Sequence, residues 1–186
     1  MQSVDLQLRH KLAWDCVEAD GRWRIEVRHR DDVPPRDVVE LLARDHLRLD
    51  GLLVRALQQL NRGEAAAAAP LLRAFAAALR RHMQAEDRLL ARELTPGETA
   101  AAPLAAMLRE HDEIRGQLEA VEACLGADAP EAGEIGAYCA ILSGTLAKHE
   151  HREESGLFPL WRAALNDLPK PMREDLLART RSALMV

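Results

Sequence analysis

Residues 39–60 read Val-Glu-Leu-Leu-Ala-Arg-Asp-His-Leu-Arg-Leu-Asp-Gly-Leu-Leu-Val-Arg-Ala-Leu-Gln-Gln-Leu. Within them Val39, Leu42, His46, Leu49, Leu53, Ala56 and Leu60 recur in steps of three and four, the spacing of one face of an α-helix. One member of that otherwise apolar face is a histidine. The pattern returns three times further along the chain. Leu72, Phe75, Leu79, His82, Glu86 and Leu89 form the second series. Leu104, Met107, His111, Ile114, Leu118, Val121 and Leu125 form the third. Ile135, Tyr138, Leu142, Thr145, His149 and Glu153, flanked by Leu146, form the fourth. Each series is the inward seam of a helix packed in a bundle. Four such helices with short connections predict an all-α fold, an antiparallel up-down-up-down four-helix bundle.

Turn residues place the boundaries. Pro34-Pro35, Asn61-Arg62-Gly63, Thr95-Pro96-Gly97, Gly126 to Pro130, Phe158-Pro159 and Pro169 to Pro171 interrupt the pattern. The helices are expected near 36–62, 70–94, 103–125 and 131–157. Pro70 and Pro103 then fall close to helix starts, where a missing N–H costs little. The bundle is assigned to residues 35–162. Residues 1–34 are an N-terminal appendage, and 163–186 are a tail with a short helix at 172–184. Within the appendage Asp20-Gly21 is a two-residue hairpin signal. A hairpin turning there sets Trp14 opposite Val27, Cys16 opposite Ile25 and Glu18 opposite Trp23. A short helix over Asp5 to Ala19 is the competing reading.

Composition narrows the function. The 186 residues carry 25 Lys+Arg against 30 Asp+Glu, a formal net charge of −5. That balance argues against binding nucleic acid through phosphate neutralisation. Aromatic residues at 3% leave little for base stacking. Cys16, Cys124 and Cys139 are odd in number and form no Cys-x-x-Cys, which reads as reduced, inert thiols. The first eleven residues carry charge where a signal peptide needs an apolar run. The longest uncharged run, Ile135 to Ala147, is too short to span a bilayer. A soluble, cytoplasmic protein with no membrane partner is expected.

The chemistry lies in the seams. Six seam positions are not apolar: His46, His82, Glu86, His111, His149 and Glu153. His82/Glu86 and His149/Glu153 are i, i+4 pairs, so each pair projects from one face. With antiparallel neighbours and about 1.5 Å per residue, all six fall in one slab roughly 12 Å thick. Imidazoles and carboxylates gathered in an apolar core are costly unless something satisfies them. A pair of metal ions satisfies all six at once. Imidazole nitrogen suits iron, zinc, copper or nickel, and carboxylates bridge hard ions. No cysteine joins the set, which argues against a structural zinc site. None of the four seam histidines has a glutamate three residues before it, so the ferritin-like Glu-x-x-His pattern is absent from the seams.

Asp45-His46, His82-Met-Gln-Ala-Glu86, Glu110-His111-Asp112 and His149-Glu-His-Arg-Glu153 come in this order. The last runs on into Glu154-Ser-Gly-Leu-Phe-Pro159. Together they resemble the hemerythrin-like (HHE cation-binding) family of non-haem di-iron proteins over about residues 36–162. The resemblance implies two iron ions. His46, His82, His111 and His149 would be terminal ligands, and Glu86 and Glu153 bridging carboxylates. Oxygen-carrying members have a further histidine four residues after the one on the third helix. Here that position is Arg115. Its loss leaves an open iron position and argues against simple reversible oxygen carriage. Arg115 reads as a flanking surface residue, or as an attractor of anions near the pocket.

The implied function is binding or sensing of O2, NO or peroxide. The alternatives are an enzyme that decomposes peroxide or reduces NO, and an iron donor for repair of iron–sulfur clusters. His10, His29 and His151 are expected to be incidental, and Tyr138 to be core. Phe158 and Trp161 are expected to pack over the metal end of the bundle.

Overall fold

The structure is a computed structural model that describes residues 12–19, 22–29, 33–94 and 101–185. The expected Asp20-Gly21 turn, His10 and the Thr95-Pro96-Gly97 break lie outside the described residues. The chain divides into two compact units, 1–36 and 37–186. In the first, strand β1 (Leu12–Ala19) pairs antiparallel with β2 (Arg22–His29). Trp14 lies opposite Val27, Cys16 opposite Ile25 and Glu18 opposite Trp23.

The second unit is helical. Helix α1 (Val38–Leu60) starts at Asp37, whose carboxylate accepts a hydrogen bond from the Glu40 N–H at 2.7 Å. Aspartate at the cap satisfies a first-turn donor, and acids at both positions suit the positive helix end. The turn to the next helix closes at Gly63, whose φ of 77° is open to glycine at little cost. Helix α2 spans Ala65–Ala85 and continues through a π-helical turn, Glu86–Leu90, and a last turn, Ala91–Glu93. It begins five residues before the expected boundary at Pro70, because an alanine run precedes that proline and propagates helix well. Helix α3 is Ala101–Leu125. Helix α4 is Ala132–Arg152, followed by a second π turn, Glu153–Leu157, and α5 (Phe158–Asp167). Pro159 therefore does not stop the chain at 157: the helix runs on through the π turn into α5, in whose first turn Pro159 sits. Helix α6 (Lys170–Met185) closes the chain and packs on α1 and α2.

α1 packs on α2, α2 on α3, α3 on α4 and α4 on α1, so the four long helices enclose one interior. The α1 seam is buried throughout. The α4 seam differs from expectation. Cys139 and Leu146 are buried, Tyr138 is 39% exposed, and Thr145 is half-buried and bonded to Gln117 at 2.9 Å. The inward face runs 135, 139, 142, 146, 149, 153, a regular four-three alternation that starts with a step of four. No described helix is long and apolar enough to cross a membrane.

Candidate metal centre

The two π turns shape the interior. On an α-helix each step of four residues drifts about 40° around the axis. His82, Glu86, Leu90 and Leu94 are nevertheless all buried, as are His149, Glu153 and Leu157. A π turn has more residues per turn and absorbs that drift, so consecutive steps of four stay on one face. This also moves the apolar seam from the expected Leu89, which is half-buried, to Leu90. Both glutamates are the first residue of their π turn.

All six polar seam residues are buried, none more than 3% exposed. They gather as two overlapping sets. His46, His82, Glu86 and Glu153 form one, and Glu86, His111, His149 and Glu153 the other, with facing ligand atoms within 4.8 Å. The imidazoles meet in pairs through Nε2: His46 to His82 at 3.1 Å, and His111 to His149 at 3.2 Å. The carboxylates span the pairs. Glu86 sets Oε1 3.3 Å from His82 Nε2 and Oε2 3.4 Å from His111 Nε2. Glu153 sets Oε2 3.3 Å from His46 Nε2 and Oε1 3.3 Å from His149 Nε2. Among the described residues none of these four buried oxygens accepts a well-formed hydrogen bond. Orphaned buried carboxylate oxygens are costly.

A cation fits this set. Two donors each about 2.1 Å from one ion and at right angles stand about 3 Å apart. The imidazole and carboxylate pairs of this centre lie at 3.1 to 3.4 Å. The donor types, imidazole and carboxylate without thiolate, are those of iron and its neighbours in the first transition row.

Electrostatics agree. Burial opposes charge on His82, but Glu86 and Asp45 outweigh it and raise its pKa to about 9. Burial likewise opposes charge on His111, and Asp87 and Glu86 raise it to about 9. His46 rises well above its ordinary value, since Glu153 and Glu154 overcome its burial. Burial would raise Glu86, yet His82 and His111 hold it well below the carboxylate range. For His149 burial wins and lowers the pKa. Carboxylates and imidazoles thus favour one another's charged forms at this centre, and a cation would serve the carboxylates in the same way.

Sequence reasoning missed the residues behind the imidazoles. Each Nδ1 meets a carboxylate: His46 with Glu154 at 3.1 Å, His82 with Asp45 at 2.9 Å, His111 with Asp87 at 2.6 Å and His149 with Glu110 at 3.0 Å. The available signal was an acidic residue beside a ligand on every helix. Arg115 pairs with Asp87 and Asp112, so its guanidinium is engaged on carboxylates. Phe158 stacks on His46 at 5.7 Å, and Trp161 on Phe158 at 5.9 Å. His151 is exposed on α4, and His29 lies on β2 opposite Leu12. A cavity of about 250 Å³ opens beside the centre, lined by Met107, Glu110, Arg152, Glu153 and Leu157 among others.

A helical bundle with paired His–Glu clusters at its centre is the architecture of a cation-binding helical protein. The family model "Hemerythrin HHE cation binding domain" matches residues 37–161, and the chain belongs to that family. No curated protein and no solved structure matches the chain.

Proposed function

We propose that this chain holds two iron ions in an antiparallel up-down-up-down bundle and uses them to bind or sense a small ligand: O2, NO or peroxide. His46 and His82 would hold one ion and His111 and His149 the other, with Glu86 and Glu153 bridging. The observation that carries this reading is the placement of four orphaned carboxylate oxygens, each facing an imidazole, with each carboxylate shared between the two pairs. When bound, a di-iron pair supplies electrons to a small ligand.

The chain's own residues do the rest. Leu49 and Ile114 on one side and Leu42, Met107 and Leu157 on the other exclude bulk water around the six. Phe158 covers His46. The cavity between Met107, Glu110 and Glu153 gives a small molecule a route to the carboxylate edge. Each set supplies four protein donors, short of octahedral coordination, which also favours a second reading as an enzyme that decomposes peroxide or reduces NO.

The test is anaerobic purification, an iron count per chain, and the visible spectrum after adding O2, NO or H2O2. About two irons per chain are expected, falling to one or fewer in Glu86→Ala. A long-lived ligand spectrum marks a binder or sensor, and rapid decay with O2 release marks peroxide decomposition. Less than about one iron in the wild type, unchanged by Glu86→Ala, overturns the reading.

A further inference from the structure

Asp45 precedes His46, Asp87 follows Glu86, Glu110 precedes His111 and Glu154 follows Glu153. None of these acids serves an imidazole of its own helix. Asp45 on α1 accepts from His82 on α2, and Asp87 on α2 accepts from His111 on α3. Glu110 on α3 accepts from His149 on α4, and Glu154 on α4 accepts from His46 on α1. The circuit closes. We infer that Asp45, Asp87, Glu110 and Glu154 are a ring of positioning residues that hands each imidazole to the metal pair in one orientation.

The register has a geometric cause. One residue turns about 100° around a helix, so a neighbour of an inward ligand points sideways along the seam. In an antiparallel bundle, one residue back on an ascending helix and one residue forward on a descending helix lie at the same end and turn in the same sense. The acids stand at −1 on α1 and α3 and at +1 on α2 and α4. All four therefore reach the next helix in the same rotational direction.

The chemistry follows from the two ring nitrogens. An Nδ1–H donated to a carboxylate leaves the Nε2 lone pair directed inward, and the partner charge makes that nitrogen a stronger donor. Three of the acids are themselves held by arginines. Arg48 meets Asp45 at 2.6 Å, Arg115 meets Asp87 and Arg152 meets Glu110. Arg115 thus has a role at the position where other members of the family carry a further histidine: it braces the acid that orients His111. Two links, Asp87–His111 and Glu154–His46, also cross from one His pair to the other, so the ring ties both metal positions together.

This inference rests on the metal reading above, and the experiment separates the two. Side-chain Nδ1–H signals are recorded by ¹⁵N NMR in metal-free and zinc-loaded protein, and zinc affinity is measured by chelator competition. Four Nδ1–H protons protected from exchange are expected. Asp87→Ala should lose the His111 signal alone and weaken zinc binding about 10–100-fold. Asp87→Asn keeps an acceptor oxygen, so it should retain the signal and recover part of the affinity. Arg115→Met should give a smaller loss, and Asp112→Ala, which touches Arg115 but no imidazole, none. Unchanged signal and affinity in Asp87→Ala overturn the ring, and Glu110→Ala, read at the His149 signal in the same way, decides the matter if Asp87→Ala does not fold. Four protected signals in a wild type that takes up no metal overturn the positioning role and the metal reading together, leaving the ring a structural network. Weak zinc binding in Asp87→Ala with the His111 signal intact overturns the ring alone.

Discussion

The six polar residues cut the interior into two apolar halves of different construction. The half containing Leu53, Phe75, Leu118 and Leu142 draws all its buried residues from the four long helices. The half containing Leu42, Leu90, Met107 and Trp161 is finished by others: Phe158, Trp161 and Leu165 from α5, and Leu176 and Leu184 from α6. The first is a regular bundle seam closed on itself. The second begins where the two π turns push the helices out of regular phase, and it needs a cap. Stability resides in both halves, and the capped half adds an aromatic stack on an imidazole, from Trp161 to Phe158 to His46.

The sharpest way to break that contrast is Trp161→Ala. Trp161 is fully buried, and removing it leaves a cavity worth about 3–5 kcal/mol. Phe158 then loses its backing and His46 its cover. A fall in melting temperature of roughly 10 °C or more is expected. Iron content after gel filtration should fall with it. Retention of full iron content would show that the cap stabilises the fold without supporting the centre.

Leu142→Ala probes the other half. Leu142 is 0% exposed, and the loss is expected to be about 2–4 kcal/mol. Here the iron count per folded chain should stay at the wild-type value, because Leu142 belongs to the cluster that the capped half does not share. Equal iron loss in the two variants would erase the distinction between the halves.

The same contrast explains what could be read from the sequence. The regular half was legible: Leu49, Leu53, Phe75, Leu118 and Leu142 sit where the three-four spacing places them. The six polar seam residues were legible too, since a histidine on an apolar face violates the pattern it interrupts. The capped half was less so. A π turn leaves no mark in the hydrophobic spacing before its own last residue, which is why the three-four spacing selects Leu89 where the structure buries Leu90. Tyr138 was misplaced for a different reason. Tyr138 and Cys139 are adjacent, both can occupy a seam, and only packing puts the cysteine inside. The acids behind the imidazoles were hidden because Asp45, Asp87, Glu110 and Glu154 look like the charged flanks of any amphipathic helix. Their role depends on which helix stands next door.

The smallest expected effect concerns how the cap is fastened. Helix α6 is attached to the bundle by an apolar stripe and by polar bonds, among them Arg81 Nε donating to the Leu184 carbonyl at 3.4 Å. Its apolar stripe, Leu176 and Leu184, is buried in the capped half. On its surface Arg179 donates to both oxygens of Glu93, at 2.7 and 2.8 Å, and to Asp175 at 2.7 Å. The geometry is bidentate, but the Arg179 side chain is 43% exposed, so water and salt screen the attraction. Burying one leucine contributes about 1.5–3 kcal/mol, whereas an exposed ion pair contributes about 1 kcal/mol at most. Arg179→Ala should therefore lower the melting temperature by only a few degrees, and the difference should vanish at about 1 M salt. The iron count should not move, because Arg179 and Glu93 pair at the surface, outside the buried set of six. A large loss that persists in high salt would mean that the surface fork, rather than the leucine stripe, holds the cap in place.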